Sequence, residues 1–161
     1  MEFKFETVTH SPEETFKLGE QFSKYLKPGA VVAFWGDLGT GKTVMIKGIC
    51  SGLKIDAADV TSPSFTVMNL YTGELPVYHF DFYRIESFED VLAFDLEDYF
   101  YGDGVSLIEW AERIKPYLPE DVIPVVMNRL KPEHRRSEND RSISIGNLTP
   151  SVLEALKKGD P

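Results

Sequence analysis

One segment of the sequence combines glycines, a lysine and a threonine at a spacing that suits phosphate chemistry. It reads Gly36, Asp37, Leu38, Gly39, Thr40, Gly41, Lys42, Thr43, which matches the pattern G-x-x-x-x-G-K-[ST]. The apolar run 30–35 precedes it and a helical pattern over 43–53 follows it, as such a loop requires. Glycines let backbone N–H groups approach phosphate oxygens closely, and a helix N-terminus favours an anion. The segment therefore predicts a phosphate-binding loop (P-loop) for ATP or GTP.

The end of this loop and two later acids could together support phosphoryl chemistry. Lys42 would neutralise charge on the β- and γ-phosphates, and the hydroxyl of Thr43 would bind Mg²⁺. Such a site also needs a carboxylate at the end of a neighbouring strand. Glu109 follows a short apolar strand, and Asp81 ends the second strand of a predicted hairpin, so both acids are candidates. His79, which lies between two aromatic residues, is expected to be packed and hydrogen-bonded.

The order of the predicted elements is typical of an α/β fold. Apolar runs predict strands over 3–8, 30–35, 65–71, 75–82, 105–108, 122–130 and 142–145. Helices are expected after the N-caps Ser11 and Thr149, after the P-loop, and from Ser87 to residue 98. The polar segment 131–141 is expected to be a mobile loop. We therefore predict a P-loop NTPase fold, with a mixed, mostly parallel sheet flanked by helices, and a single domain over residues 1–161.

Composition restricts the class of partner. The chain has 161 residues and a net charge of −9, so it is not expected to hold RNA or DNA strongly by itself, because phosphate binding needs a basic face. No segment has the roughly 20 continuous apolar residues of a membrane span. Residues 1–6 lack the apolar region of a signal peptide, which favours the cytoplasm. The single cysteine, Cys50, is expected to be a small buried apolar side chain.

Three further motifs accompany the P-loop. They are Ser62-Pro63-Ser64-Phe65-Thr66, His79-Phe80-Asp81-Phe82-Tyr83-Arg84 and Ile108-Glu109-Trp110. In this order and spacing the four motifs resemble the TsaE family of small bacterial ATPases, over a stretch from about Ser11 to Glu109. The sequence departs from the family pattern at Thr40, Ser64 and the pair Val44-Met45, and none of these changes removes a phosphate contact.

The resemblance implies a function that spacing alone does not give. It implies an ATP-hydrolysing subunit in the synthesis of threonylcarbamoyladenosine (t6A) at adenosine 37 of tRNA. Two partner proteins, TsaD and TsaB, would transfer the threonylcarbamoyl group and would carry the tRNA. Hydrolysis by this subunit would be weak alone, would be stimulated by the partners and would allow multiple turnovers. The choice of ATP over GTP rests on the resemblance.

The resemblance also implies roles for individual residues. Thr43 and Glu109 would hold Mg²⁺, and Lys42, Asp81 and Glu109 would take part in hydrolysis. A switch-like loop would consist of Ser62, Pro63, Ser64, Phe65 and Thr66. Beyond the P-loop itself, the residues expected near ATP are Pro12, Thr15, Val44, Trp110 and a late arginine, Arg136 or Arg135.

Two other functions remain open from the sequence. A stand-alone P-loop kinase acting on a nucleoside or other small metabolite would need an arginine-rich lid and an acceptor pocket with an aspartate base. The segment 131–136 could imitate such a lid, although no second arginine-rich segment supports it. A nucleotide-dependent interaction module would bind ATP and hardly hydrolyse it. ATP turnover measured alone, with acceptors and with the partners would separate these functions.

Overall fold

A computed structural model describes residues 4–63 and 65–159. Within them the strands are β1 (Phe5–Thr9), β2 (Val31–Trp35), β3 (Met68–Thr72), β4 (Pro76–Asp81), β5 (Val105–Glu109), β6 (Ile123–Arg129) and β7 (Arg141–Ile145). The helices are α1 (Pro12–Ser23), α2 (Lys42–Gly52), α3 (Phe88–Leu92), α4 (Leu96–Phe100) and α5 (Pro150–Lys158), with short 3-10 helices at Ala57–Asp59, Ala111–Tyr117 and Pro132–His134. Phe3 and Ser64, for which the sequence made predictions, lie outside the described residues.

The strands of the described residues form one seven-stranded sheet in the order β1-β7-β6-β2-β5-β4-β3. The central strands β6, β2, β5 and β4 pair in parallel, and the pairings towards both edges are antiparallel. Because β1 is antiparallel to β7, it points the same way as the central strands. Within the described residues, therefore, only β3 and β7 run in the opposite direction, and the predicted mixed, mostly parallel sheet is confirmed.

The register of the central strands brings the candidate acids and the P-loop to one edge of the sheet. Phe34 in β2 and Asp81 in β4 both pair with Glu109 in β5. The P-loop begins at Gly36, directly after β2. Three adjacent parallel strands therefore end together, and this carboxyl edge is where open α/β sheets bind ligands.

Alternate residues of β2 belong to two apolar cores, one on each face of the sheet. Val32 and Phe34 pack with α1, α2 and α5, whereas Val31 and Ala33 pack with α3, α4 and the turn Ala111–Tyr117. Such a strand, buried on both faces, gives the continuous apolar run seen in the sequence. Cys50 lies in the first core, where burial raises the pKa of its thiol to about 12, so the expected small buried side chain is confirmed. No helix among the described residues is long and apolar enough to span a membrane.

The sequence signals for the first and last helices are confirmed. The Ser11 hydroxyl accepts a hydrogen bond from the Glu14 N–H at 3.1 Å, and the Thr149 hydroxyl accepts one from Val152 at 3.3 Å. In both helices a proline occupies the first turn, where its missing N–H costs nothing. These capped starts fix where α1 leaves β1 and where α5 returns to the sheet.

The single helix predicted from Ser87 to residue 98 is wrong, because the chain forms two short helices there. The break lies between α3 and α4, at residues 93–95. Val91 and Phe100 are both buried in the same core. In one continuous helix, residues nine apart would point about 180° away from each other. The break lets both side chains face the sheet.

Two predicted loop boundaries also differ from the structure. The strand expected from residue 65 begins at Met68, because Val67 has a φ of 69° and its N–H donates to the Pro63 carbonyl at 2.8 Å. The segment expected to be a mobile loop over 131–141 contains the turn Pro132–His134, and its last residue, Arg141, is the first residue of β7. A local turn therefore delays the start of β3, whereas pairing with β6 sets the start of β7.

Small residues let α1 and α2 approach each other closely. Gly19 in α1 faces Gly48 in α2, and a Cβ on Gly48 would lie 2.1 Å from the Phe16 carbonyl oxygen. A Cβ on Gly19 would lie 2.4 Å from the Met45 carbonyl oxygen. Gly48 therefore weakens the helix locally but permits the contact that seats α2 on the sheet.

We expect Gly48→Ala to destabilise the fold, although alanine favours a helix by about 1 kcal/mol over glycine. The new methyl group would meet backbone atoms, which cannot move aside, so a net loss of about 1–3 kcal/mol is expected. The free energy of unfolding from urea denaturation measures it. Lys17→Ala, at an exposed position of α1, is the control and should change stability by less than about 0.5 kcal/mol. An equally small effect of Gly48→Ala would contradict the close packing.

Candidate active site

A cleft of about 580 Å³ opens at the carboxyl edge of the central strands, within the roughly 300–1,000 Å³ typical of small-molecule sites. Most of the residues predicted to contact the nucleotide line it: Pro12, Thr15, Leu38, Gly39, Thr40, Gly41, Lys42, Thr43, Val44 and Trp110. Ser62, Asp81 and Glu109 line it as well. Arg84, which the sequence left open as either a phosphate contact or a partner of a neighbouring acid, lines the cleft too. Further lining residues, for which the sequence predicted no lining role, are Tyr83, Asn139 and Arg141.

The backbone of the P-loop depends on glycine at two positions in particular. Gly41, the N-cap of α2, has a φ of 96°, which residues with a side chain rarely adopt. A Cβ on Gly36 would lie 2.2 Å from the Met127 carbonyl oxygen on β6. Since Gly41 has no side chain to cap α2, the first N–H groups of that helix are available to an anion.

The loop folds around its own lysine. The ammonium group of Lys42 donates to the carbonyl oxygens of Gly36 and Asp37, the latter at 3.3 Å. It also lies 4.4 Å from the centroid of the Trp110 ring, within the range of a cation–π contact. Trp110 has a φ of 58°, so the chain turns sharply at the end of β5 and brings the indole over the cleft. Gly36 and Asp37 thus contact Lys42, and neither lines the cleft wall.

Glu109 is the most heavily hydrogen-bonded acid of the cleft. Its side chain is almost fully buried. One carboxylate oxygen accepts from the Thr43 hydroxyl at 2.9 Å, and the other lies 2.8 Å from Nε2 of His79 and 3.2 Å from the Ser62 hydroxyl. The expected packed, hydrogen-bonded state of His79 is confirmed. Glu109 therefore joins the P-loop, the sheet and the loop that follows Val60.

These partners keep Glu109 ionised. Burial by itself would raise the pKa of the carboxyl group, but the hydrogen bond and charge of His79, with the hydrogen bonds of Thr43 and Ser62, outweigh it and lower the pKa below its ordinary value. Hydrogen bonds to a carboxylate favour its charged form. The site therefore presents a negative charge at neutral pH.

Ser62 links the two candidate acids. Its hydroxyl lies 2.6 Å from Oδ2 of Asp81 and 3.2 Å from Oε2 of Glu109. A hydroxyl has one proton, so it donates to one carboxylate at a time, and the shorter distance favours Asp81. The other oxygen of Asp81 accepts from the N–H of Tyr83 at 2.9 Å. Asp81 and Glu109 therefore lie side by side with a serine between them.

The donor set at Thr43 and Glu109 fits a magnesium ion. Magnesium prefers oxygen ligands and retains several waters, so one or two protein oxygens with substrate phosphates suffice. The Thr43 hydroxyl and the Glu109 carboxylate are adjacent oxygens of this kind. Among the described residues there is no group of three or more histidine, cysteine or acidic side chains that could enclose a metal alone. The cleft therefore suits an ion that arrives with phosphate.

The predicted switch-like loop reaches the site at one end. Ser62 contacts both acids, whereas the Thr66 hydroxyl is 3.4 Å from the Asn69 side chain. Phe65 is 84% exposed, and the Arg84 guanidinium lies 4.4 Å from the centre of its ring. Ser64, in the middle of this loop, lies outside the described residues. The contacts described here thus place Ser62, and not Thr66, beside the carboxylates.

The structure does not bring the expected late arginine to the cleft. Of the residues described, neither Arg136 nor Arg135 lines the cleft wall, whereas Arg141 does. The guanidinium of Arg141 is 3.3 Å from the Gly39 carbonyl oxygen, and that of Arg129 is 3.4 Å from it. Both arginines therefore border the P-loop.

The position of Arg141 can be inferred from the sequence only when the direction of the last strand of the sheet is known. Arg129 ends β6 and Arg141 begins β7. Because β7 is antiparallel to β6, its first residue lies at the same edge where β6 ends, next to the P-loop. The direction of β7 cannot be read from its short apolar pattern, so the sequence did not single out Arg141.

Comparison with known proteins shows the family of this chain. The family model described as threonylcarbamoyl adenosine biosynthesis protein TsaE matches residues 9–139, which include the P-loop and both acids. The chain belongs to the TsaE family. It is 38% identical to the tRNA threonylcarbamoyladenosine biosynthesis protein TsaE of Bacillus subtilis over 99% of this chain and 96% of that protein.

Other TsaE proteins show a similar relationship. The protein of that name from Nostoc is 39% identical over 90% of this chain and 88% of its own length. The crystal structure of Bacillus subtilis YdiB superposes with a TM-score of 0.79 at 32% identity and covers the whole of this chain and 99% of YdiB. The resemblance thus extends from the sequence motifs to the complete fold, and the predicted P-loop fold of the TsaE family is confirmed.

In this TsaE-family chain a buried carboxylate fixes the segment that leads to Arg141. Asp140 accepts hydrogen bonds from the Arg136 N–H at 2.7 Å and the Ser137 hydroxyl at 3.3 Å, and Nδ1 of His10 lies 3.0 Å from it. These contacts, the Arg136 N–H first, lower the pKa of Asp140 from 3.8 to about 2. His10 precedes α1, so the pair joins two walls of the cleft.

We expect Asp140→Asn to reduce stability at neutral pH by an amount that disappears in acid. The carboxylate contributes stability above its unfolded pKa of 3.8, and this contribution is lost as the pH falls towards about 2, because the unfolded state then binds the proton more readily. Urea denaturation of both proteins between neutral pH and about pH 2 measures the difference. Glu133→Gln, at an exposed position of the same segment, should show no such convergence. A difference that persists in acid would contradict the assignment.

Proposed function

We propose that this chain is the ATP-hydrolysing subunit of the machinery that makes t6A at adenosine 37 of tRNA and that it acts with TsaD and TsaB. The observation that carries the proposal is the buried Glu109, which contacts the P-loop threonine on one side and the Ser62–Asp81 pair on the other. Such a site can sense whether a γ-phosphate is present. Family membership supports the pathway.

The proposed roles follow from the contacts. Lys42 would leave the carbonyls that now hold it and would neutralise the β- and γ-phosphates of ATP. Thr43 and Glu109 would hold Mg²⁺, which when bound neutralises charge on the phosphate oxygens. Asp81 would orient the water that attacks the γ-phosphorus. The bond to the bridging oxygen of ADP then breaks, and phosphate and a proton are released.

Around these groups we propose that Pro12 and Thr15 approach the adenine and that Trp110 and Val44 bound the nucleotide. Arg141, and not Arg136, is proposed as the arginine that approaches it, because Arg141 lines the same cleft as the P-loop. Its charge would suit the phosphates or the transition state.

Weak hydrolysis by the isolated chain is expected from the state of Asp81. One of its oxygens accepts from Ser62 and the other from the Tyr83 N–H, so these two donors hold the carboxylate in its present orientation. We propose that Ser62 releases the carboxylate before it orients water towards the γ-phosphorus. A partner that binds the chain with this loop displaced would accelerate hydrolysis, and by linkage it would also change the affinity for ATP.

The same proposal extends to tRNA contact, cellular location and domain organisation. With a net charge of −9 it would meet tRNA only through TsaD and TsaB, because unaided binding needs a basic face. Because tRNA modification is the proposed pathway, we propose a cytoplasmic location. We also propose one ATPase domain over 1–161, since the described strands form a single sheet.

Glu109→Gln tests the metal assignment. The amide retains the size of the side chain and its hydrogen-bond acceptor but removes the negative charge, so the magnesium concentration for half-maximal hydrolysis should rise about tenfold or more. Hydrolysis is measured against magnesium concentration in the presence of the partners. Glu112→Gln, an exposed acid in the next turn, is the control and should leave the midpoint in place. An unchanged midpoint for Glu109→Gln would move the assignment to Asp81.

Reconstitution with purified TsaD and TsaB tests the function itself. We expect slow ATP hydrolysis by this chain alone, faster hydrolysis with both partners, and binding to them that depends on nucleotide. A single turnover of tRNA modification should proceed without this chain, whereas repeated turnovers should require it. Multiple turnovers at full rate in its absence would reject the proposal, and transfer of the γ-phosphate to a nucleoside in place of water would favour a kinase.

A further inference from the structure

A chain of hydrogen-bonded polar side chains runs across three strands behind Glu109. Tyr71 on β3, His79 on β4 and Glu109 on β5 follow one another as diagonal neighbours on the same face of the sheet, because Tyr71 pairs with Val77 and His79 with Leu107. The Tyr71 hydroxyl is 3.3 Å from Nδ1 of His79, and Nε2 of His79 is 2.8 Å from Glu109. Each step leads towards the cleft.

The far end of this chain holds the loop that precedes Ser62. The Tyr71 hydroxyl donates to the Thr61 carbonyl at 3.0 Å and accepts from the Thr61 N–H at 3.2 Å. The Asn69 side chain also donates to the Thr61 carbonyl, at 3.2 Å. Two consecutive residues of the loop are therefore tied to Glu109: Ser62 directly, and Thr61 through Tyr71 and His79.

The hydrogen-bonding capacity of the Tyr71 hydroxyl is limited. It has one proton and two lone pairs, and four polar atoms lie within hydrogen-bond distance of it. They are the Thr61 carbonyl at 3.0 Å, the Thr61 N–H at 3.2 Å, the Asn69 amide at 3.3 Å and Nδ1 of His79 at 3.3 Å. The hydroxyl can therefore bond Nδ1 of His79 fully only at the expense of one of its other bonds.

We propose that Tyr71 and His79 are positioning residues that couple the loop at 61–62 to the orientation of the Glu109 carboxylate. While Thr61 stays in place, it engages the phenolic hydroxyl. When the loop moves, the hydroxyl is available to bond Nδ1 of His79, and this fixes the imidazole ring that holds Glu109, because a fully satisfied polar network is more rigid. The inference rests on the proposed role of Glu109 in the magnesium site.

The ring of His79 is fully buried, and each of its nitrogens lies within hydrogen-bond distance of one partner, Tyr71 or Glu109. Tyr71 is only partly buried but contributes its hydroxyl to three backbone or side-chain groups of the same region. Neither residue lines the cleft, so neither can touch ATP directly. An effect of either residue on hydrolysis must therefore pass through Glu109 or through the loop.

Tyr71→Phe removes the hydroxyl and keeps the aromatic ring, so it tests the contribution of the hydroxyl alone. We expect the affinity for ATP without magnesium to stay within about twofold, while the magnesium midpoint rises and kcat falls about three- to tenfold, the order expected for one hydrogen bond. KM for ATP should change little. Tyr78→Phe, which removes a hydroxyl from a ring that packs against Tyr99, is the matched control and should change none of these values.

His79→Gln tests the coupling with a second variant, because a glutamine amide can retain the hydrogen bond to Glu109 but cannot reproduce Nδ1. Its kcat should fall, and its magnesium midpoint should rise, about as much as in Tyr71→Phe. The double variant should be no more impaired than the more affected single variant. His79→Ala, which removes both contacts, should lower kcat further. If His79→Gln does not fold, as judged by circular dichroism, Tyr71→Phe still decides the matter.

The outcomes distinguish this inference from the function on which it rests. A raised magnesium midpoint in Glu109→Gln with an unchanged one in Tyr71→Phe overturns the coupling and leaves the proposed function intact. Additive losses in the double variant also overturn it, since they indicate two independent effects. An unchanged midpoint in Glu109→Gln overturns the coupling and moves the metal assignment to Asp81, while reconstitution with TsaD and TsaB tests the proposed function separately. Shifts of the midpoint in both variants, with a non-additive double variant, support both proposals.

Discussion

A buried negative charge at the edge of the sheet is the constraint on which this site depends. Glu109 is ionised although it is almost fully buried, and a buried carboxylate is costly unless every oxygen is hydrogen-bonded. Its partners come from three separate places in the chain: Thr43 after the P-loop, His79 on the neighbouring strand and Ser62 in the loop after Val60. Satisfying one carboxylate therefore fixes the relative positions of the elements that surround the nucleotide cleft.

The positive charge of the P-loop lysine is also held in place by specific contacts. The ammonium group of Lys42 is kept by backbone carbonyls and by the Trp110 ring, so the P-loop is already curved around a cation. Arg141 and Arg129 border the same loop. These positive groups and the carboxylates of Asp81 and Glu109 lie around one cleft, and together they suit a phosphate chain with its magnesium ion. Ser62 contacts both carboxylates, which links the cleft to the loop after Val60.

Much of the architecture could be predicted from the sequence. The P-loop, the capped helices α1 and α5, the hairpin of β3 and β4 and the doubly buried β2 all follow from local rules about glycine, capping residues and apolar runs. Errors arose where long-range packing overrides those rules and where an unexpected local turn shortens a strand. The helix expected after Ser87 breaks so that Val91 and Phe100 can share a core, and β3 starts late because Val67 adopts a left-handed turn.

For the site, the sequence determined which side chains exist near strand ends, and hence that Asp81, Glu109 and the P-loop were candidates. It could not determine which of these side chains contact one another. The neighbours of Glu109 follow from strand order and register, which are set by the packing of the whole sheet. The position of Arg141 follows from the antiparallel direction of β7. Local backbone preferences and side-chain chemistry are written in short stretches of sequence, whereas hydrogen bonds between residues dozens of positions apart exist only once the tertiary structure has brought their strands together.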